Sequence, residues 1–308
     1  MNPIRVALVG MGKIAKDQHV PALAADKNFE LVGVASRHNV LDGVPSFPSL
    51  EALLQGVPSV DAISICTPPQ VRYDIARAAL NHGRHVMLEK PPGATLGEVS
   101  ALADLASRKG VSLFATWHSR EASAVEPARQ WLASRKIRSV IVTWKEDVRH
   151  WHPGQTWIWE AGGLGVFDPG INALSIVTRI LPTAVVLKDA VLCFPSNQQT
   201  PIAASLSLID EHATPIRAEF DFRQTGPQSW DIEIETDSGR LMLSKGGAVM
   251  KVNDETVIEA QDREYPNLYA HFATLVRDKK SDVDVAPLRL VADAFLCGKR
   301  VEVEPFIE

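Results

Sequence analysis

The sequence offers little to crosslink, no excess of positive charge and no long apolar run. Its three cysteines, Cys66, Cys193 and Cys297, are odd in number, far apart and without CxxC or Cys/His spacing. A disulfide framework or a structural zinc site is therefore not expected, and all three read as small apolar residues. Thirty-two Lys+Arg against 37 Asp+Glu leave a formal net charge of −5, so no field draws the chain to phosphate polymers, and nucleic acid is excluded as an expected partner. No apolar run approaches the ~20 residues that cross a bilayer. Met1–Arg5 leads directly into a strand-like segment and not a signal peptide, so a cytoplasmic protein with no membrane partner is expected.

What is present is an ordinary globular composition, 45% hydrophobic and 22% charged over 308 residues, which argues against disorder, collagen and coiled coil. A single core tends to split beyond ~250 residues, so two domains are expected. The N-terminal third alternates short apolar runs, Ile4–Val9, Leu31–Ala35, Ala62–Cys66, His85–Leu88 and Val111–Ala115, with helical spacing over Val71–His82 and Leu96–Arg108. That alternation predicts βαβ units on a doubly wound parallel sheet. After Trp117 the texture changes to a helix over Ala124–Ser134, a strand over Val140–Asp147, a Trp- and Gly-rich loop and a helix near Ile171–Leu181. Ala203–Ile209, Ile216–Phe222, Trp230–Glu235, Arg240–Ser244 and Val249–Val252 then alternate apolar with polar residues, as strands with one buried face do. Two helices, Leu268–Arg277 and Pro287–Gly298, close the chain. The expected fold is an α/β doubly wound domain over 1–118, binding a dinucleotide, and an α+β domain with an open, mostly antiparallel sheet over 119–308, binding substrate and a second subunit.

Ile4–Val9 runs into Gly10-Met11-Gly12-Lys13-Ile14-Ala15, a glycine pattern where a first strand turns into a helix. Gly10 permits the tight turn, Gly12 lets backbone approach a pyrophosphate, and Ala15 allows close helix packing, with Lys13 and Ile14 opening the helix beside the ligand. The second strand ends Ser36-Arg37-His38 with no carboxylate. A hydroxyl followed by arginine suits a ribose 2′-phosphate, so NADP is preferred over NAD. His85–Leu88 ends in Glu89-Lys90-Pro91, which puts Lys90 at the carboxyl edge of the sheet, where ligands bind in open α/β folds.

In combination, the glycine pattern, Thr67-Pro68-Pro69, Glu89-Lys90-Pro91 and Gly162–Asp168 resemble the sugar dehydrogenase family that includes glucose–fructose oxidoreductase and inositol dehydrogenase, over nearly the whole chain. The resemblance implies a Rossmann domain, an open-faced sheet domain that binds a sugar, and Lys90 beside the nicotinamide, with Thr67, Pro68, Glu89 and Lys90 near the cofactor. The family usually carries Asp-x-x-x-His at the start of a helix; here the segment reads Asp168-Pro169-Gly170-Ile171-Asn172. Asn172 shares a helical face with Asp168 but has no titratable proton near neutrality, so it orients a hydroxyl and is not the base. Lys90 and Asp168 stand as the two catalytic candidates for accepting the proton, alone or as a coupled pair, with Glu146 and His152 near. Asp168 followed by Pro169 also reads as a helix N-cap.

Trp144–Pro153 is dense in hydrogen-bonding side chains and indoles, a surface suited to sugars, whose C–H patches lie on aromatic faces. Trp144, Trp157 and Trp159 read individually as core or interface anchors, while Trp151, His118 and Trp230 could add sugar contacts. At closer range the chain is similar to the bacterial sugar 1-dehydrogenases acting on L-arabinose and D-galactose, which implies Lys90, Glu146, His152, Asp168 and Asn172 lining the site. The implied reaction passes hydride from C1 of the pyranose to NADP or NAD, with loss of the anomeric proton, giving the aldonolactone; no metal is required. The two sugars differ chiefly by a hydroxymethyl arm, a discrimination of only ~1–3 kcal/mol in a steric pocket, so both stand as substrates. Two other readings are a dehydrogenase of another polyol and a cofactor-binding regulator on the same fold. An open sheet face would expose an apolar patch unless another subunit covered it, so a homodimer or homotetramer is expected.

Overall fold

The β-branched runs of the N-terminal third pair as parallel strands: β1 (Ile4–Val9), β2 (Phe29–Ala35), β3 (Ser46–Phe47), β4 (Ala62–Ile65), β5 (His85–Leu88) and β6 (Leu113–Ala115). Their order in the sheet is β3-β2-β1-β4-β5-β6, so the direction of winding reverses between β1 and β4, where open α/β sheets bind ligands. Both faces of this sheet are covered, which is why its strands are mostly apolar. Ala7 and Val9 pack with Ile63, Ile65 and residues of the helices Leu50–Gly56, Pro69–Asn81 and Leu96–Lys109. Val6 and Leu8 point the other way and pack with Phe29, Met87 and Phe114 under the helices Val20–Ala25 and Glu264–Asp278.

The chain is described here by a computed structural model over residues 2–37 and 40–307, and it divides into two units. The first joins Met1–His118 to Tyr265–Val285, and the second joins Ser119–Glu264 to Ala286–Glu308. Residues 265–285, expected within a 119–308 domain, group with the first unit instead. Tyr265, Leu268, Tyr269 and Phe272 line one buried stripe of the Glu264–Asp278 helix and complete the second layer of the first unit's core. Leu268 and Phe272 each contribute about 1.5–3 kcal/mol when fully buried.

The second unit contains β7 (Ile137–Lys145), β8 (Val186–Pro195), β9 (Ala203–Ile209), β10 (Pro215–Asp221), β11 (Ser229–Thr236), β12 (Gly239–Ser244), β13 (Val249–Val252), β14 (Glu255–Glu259) and β15 (Lys299–Val303). They form a nine-stranded sheet in the order β14-β13-β12-β11-β7-β10-β9-β8-β15. Neighbours are antiparallel except β10 with β7 and β15 with β8. The helices Val125–Leu132, Phe167–Ile180 and Ala286–Cys297 pack together on one face, over Val142, Trp144, Ala218, Phe220 and Ile234, which are all buried. The opposite face presents Ser205, Arg217, Glu219 and Glu235 to solvent, with Ser205 Oγ donating to Glu219 Oε2 at 2.6 Å and an ion pair between Arg240 and Glu233. The apolar patch expected on that face is therefore a correction: only Ile141 of β7, Val186 of β8 and Val257 of β14 are exposed large apolar side chains of this sheet among the described residues. No described helix is long and apolar enough to cross a membrane.

Candidate active site

In the first unit, β1 ends at Gly10, whose φ of +94° is one that L side chains rarely adopt. A Cβ there would sit 3.0 Å from the carbonyl carbon of Cys66 and the nitrogen of Thr67, so glycine is what lets β1 and β4 approach at the switch point. At Gly12, by contrast, an added Cβ would meet nothing within 4 Å, leaving open space before the helical run that begins at Ala15. Thr67 Oγ1 is buried without a hydrogen-bond partner among the described residues, an unmet polar atom at the same sheet edge. At the end of β2, Ser36 N donates to Phe47 O at 2.9 Å and Arg37 is exposed; His38 lies outside the described residues. Open room at Gly12 and a waiting hydroxyl at Thr67 at the sheet edge fit a dinucleotide. Lys13, expected beside the cofactor, is exposed and pairs with Asp17 one helical turn on.

β5 delivers Glu89 and Lys90 to this same edge, and the Lys90–Pro91 bond is cis. The segment is anchored from beneath by residues that the sequence reading missed. Arg72, 2% exposed, donates to the carbonyls of Thr67, Glu89 and Pro91, one on each side of Lys90 and one after β4. Glu89, expected near the cofactor, is a buried anchor, 4% exposed. Its carboxylate accepts from His19 Nε2 at 2.9 Å, Tyr265 Oη at 2.8 Å and the Lys90 main chain at 3.0 Å. His19 Nδ1 lies 2.7 Å from Tyr269 Oη, which donates on to Ser64 Oγ at 3.3 Å. Burial opposes charge on His19, yet Cys66, Tyr269 and Glu89 outweigh it and raise its pKa well above the usual value. Burial likewise opposes charge on Glu89, but the hydrogen bond and charge of His19, with His118 and Tyr265, drive its carboxyl far below the usual range. The pair is thus a buried imidazolium and carboxylate. His118, expected against the sugar, stacks its ring on Tyr265 at 5.7 Å and belongs to the first unit.

Arg72 had a signal in the sequence. It shares the buried face of the Pro69–Asn81 helix with Ala76, Ala79 and Leu80, and a charge on an apolar stripe needs buried partners.

The second unit gathers another set of predicted residues. β7 runs out through Lys145 into Glu146, whose N–H donates to Asp221 O at 2.9 Å. Asp147 caps the short helix Val148–Trp151 by accepting from Arg149 N, and His152 follows with its N–H on Val148 O at 2.8 Å. This turn brings His152 Nε2 to 2.9 Å from Glu146 Oε1, while Trp230 Nε1 donates to Glu146 Oε2 at 2.8 Å. His152 Nδ1 stands 3.6 Å from Asp168 Oδ2. Glu146 and Asp168 are each 3% exposed. Trp230 lies between Trp144, stacked at 6.2 Å, and Trp151, tilted at 4.9 Å, so the three indoles make one aromatic surface. Trp151 is exposed; Trp144 and Trp159 are buried, as anchors should be, and Trp157 is half-buried.

Asp168 is not the helix N-cap. The helix runs over Phe167–Ile180 with Val166 at the cap and no side-chain cap bond, because Gly165, at φ +53°, begins the turn earlier and takes the Asp168 N–H on its carbonyl at 2.8 Å. Pro169, lacking an N–H, then falls in the first turn, where that donor has no helical partner anyway. Asp168 is therefore left to face His152, and Asn172 follows one turn later on the same helix.

Residues 4–116 match the oxidoreductase family with an NAD-binding Rossmann fold. The galactose 1-dehydrogenase of Pseudomonas fluorescens is 50% identical over 308 residues, covering 100% of both chains. The chain belongs to this family. It is an oxidoreductase, built as a parallel Rossmann sheet and a mixed, mostly antiparallel one. Among solved structures, the D-galactose-1-dehydrogenase protein from Rhizobium etli superimposes with a TM-score of 0.96 at 58% identity, covering 100% of this chain and 99% of that one. A 3-ketoreductase from Actinomadura kijaniata in complex with NADP shares the fold at 20% identity, with a TM-score of 0.86 and coverage of 98% and 100%.

Proposed function

We propose that this oxidoreductase oxidises D-galactose at C1 to the aldonolactone with NADP as the preferred acceptor, and that L-arabinose is a second substrate. The observation that carries the reading is the 50% identity to a galactose 1-dehydrogenase along the whole of both chains. When bound, the nicotinamide supplies the acceptor for the C1 hydride. The chain's own residues hold the sugar and move one proton. Trp151 and Trp230 offer an apolar surface to the C–H face of the pyranose, and Asn172 offers its amide to the hydroxyls, while His152 stands behind Asp168 at 3.6 Å. Lys90 and Asp168 are assigned to the anomeric hydroxyl: the proton leaves it as the C1 hydride departs. The exposed Arg37 after β2 supports NADP over NAD, since guanidinium forms paired bonds to phosphate. Self-association through the outer face of the nine-stranded sheet belongs to the same reading. Charged pairs such as Arg240 with Glu233 would carry that contact, so light scattering that shows a monomer at low salt sinks it.

The test is the initial rate of NADP reduction, with NAD alongside, across D-galactose, L-arabinose, D-xylose, D-glucose and myo-inositol. Turnover on the first two, with lactone as product, is the expected result. Silence on D-galactose despite NADP binding overturns the reading.

A further inference from the structure

His152 is held in a way that a simple sugar contact does not require. Both oxygens of the buried Glu146 carboxylate are occupied by donors, His152 Nε2 at 2.9 Å and Trp230 Nε1 at 2.8 Å. An ionised carboxylate only accepts, so Nε2 must carry the hydrogen. In the neutral imidazole that leaves Nδ1 as a lone pair, and Nδ1 faces Asp168 Oδ2 at 3.6 Å. Two acceptors confront each other across a gap too wide for a hydrogen bond. One proton placed between them would turn the gap into a charge-assisted bond.

We infer that His152 is the proton store behind Asp168: the proton released by the anomeric hydroxyl passes to the Asp168 carboxylate and comes to rest on His152 Nδ1. The inference rests on the D-galactose reading above and deepens it. In balance, the sugar O–H bond breaks and an N–H bond forms on His152, the hydride goes to the nicotinamide, and Asp168 ends as it began, ionised. The imidazolium so formed is flanked by two carboxylates, Glu146 from the end of β7 and Asp168 from the Phe167–Ile180 helix. The Phe222 ring covers a further side at 5.6 Å. The other charged groups of its loop turn elsewhere, Arg149 to Asp147 and the Phe306 ring, and His150 to Trp151. The side chain of His152 keeps 15% exposure, which gives the proton an exit to solvent after each turnover. His152 acts through Asp168, and Asp168 touches the substrate.

The experiment compares the parent enzyme with His152→Gln and His152→Ala on D-galactose and NADP. Gln can still donate to Glu146 but cannot take up a proton, so kcat should fall by about 10²-fold while KM stays within about threefold of the parent. If His152 stores the proton, kcat of the parent should fall on the acid side and that fall should vanish in His152→Gln. His152→Ala should regain turnover saturably with added imidazole. A His152→Gln enzyme with parental kcat and raised KM marks a sugar contact only and overturns the relay, as does an Ala variant indifferent to imidazole while Gln keeps its acid limb. A parent enzyme silent on D-galactose overturns the substrate reading and the relay together; an active parent with indifferent variants overturns the relay alone.

Discussion

His19 Nε2 lies 2.9 Å from Glu89 Oε1, and neither residue has more than 4% of its surface exposed. The carboxylate in turn takes the main-chain N–H of Lys90, so an ion pair inside the first unit holds the residue assigned to proton transfer.

That pair should give stability a defined pH window. Glu89 is depressed below its usual 4.5, so its contribution is present above that value and is lost as pH falls. His19 is raised well above its usual 6.5, so its contribution is complete below 6.5 and is lost as pH rises through the folded value. His19→Gln should therefore be destabilised by about 3–5 kcal/mol, the usual cost of removing one partner of a buried pair. The deficit against the parent should be greatest between pH 4.5 and 6.5 and narrow on both sides. Urea unfolding of both proteins across pH 4 to ~9 checks this, and a deficit that does not vary with pH refutes the assignment.

Arg72 reaches three carbonyls with one planar fork, which a point-charged ammonium cannot do. Arg72→Lys should keep the fold but loosen the backbone on both sides of Lys90, lowering kcat on D-galactose by about 10²-fold. Circular dichroism beside steady-state kinetics separates the two effects, and parental kcat in a folded variant counts against the clamp.

The two glycines of the first turn should fail differently. Gly10→Ala puts a Cβ 3.0 Å from backbone at φ +94°, a strain of about 1–3 kcal/mol that lowers the melting temperature without any ligand. Gly12→Ala meets nothing within 4 Å, so its melting temperature should equal the parent's. It should instead weaken NADP by about tenfold or more, equivalent to ~1.4 kcal/mol. Thermal melts and cofactor titrations of both variants decide it; equal NADP affinity in Gly12→Ala would remove the pyrophosphate from that space.

Lys90→Met removes the ammonium and keeps the chain length. Sugar oxidation should drop by at least about 10²-fold while NADP still binds by fluorescence titration. Unchanged turnover takes Lys90 out of the mechanism.

Most of the first unit was legible because each strand is a continuous apolar run between glycine or proline breaks, and the runs predicted at Ile4–Val9 and His85–Leu88 recur unchanged as strands. β8 escaped notice because a register shift between Leu187 and Asp189 breaks the alternation that marks a half-buried strand. β3 has two residues and carries no period at all. The Glu264–Asp278 helix was visible as a helix, but periodicity cannot tell which sheet an apolar stripe will meet, and this one packs with Phe29 and Phe114. The same limit applies at the site. Glu146 and His152 stood together in the sequence, whereas the indole of Trp230, 84 residues further on, reaches Glu146 only through the pairing of β11 with β7. His19, Tyr265 and Tyr269 were passed over because each looks like core when read alone, and their chemistry appears only when 250 residues of separation are closed.

The return of Tyr265–Val285 to the first unit sets the order in which a ribosome can finish this protein. The amino-terminal sheet emerges first, yet one of its two helical layers lacks Tyr265, Tyr269 and Phe272 until Ser119–Glu264 of the second unit has also been made. During that interval Phe29 and Phe114, which those rings cover in the finished fold, have no permanent cover, the condition under which nascent chains engage chaperones. The nine-stranded sheet waits longer still, because β15 joins β8 from residues 299–303. Synthesis runs from one end to the other, but the first unit cannot be completed before residues 265–285 appear, nor the second before β15 does, so each half waits on segments made after most of the other.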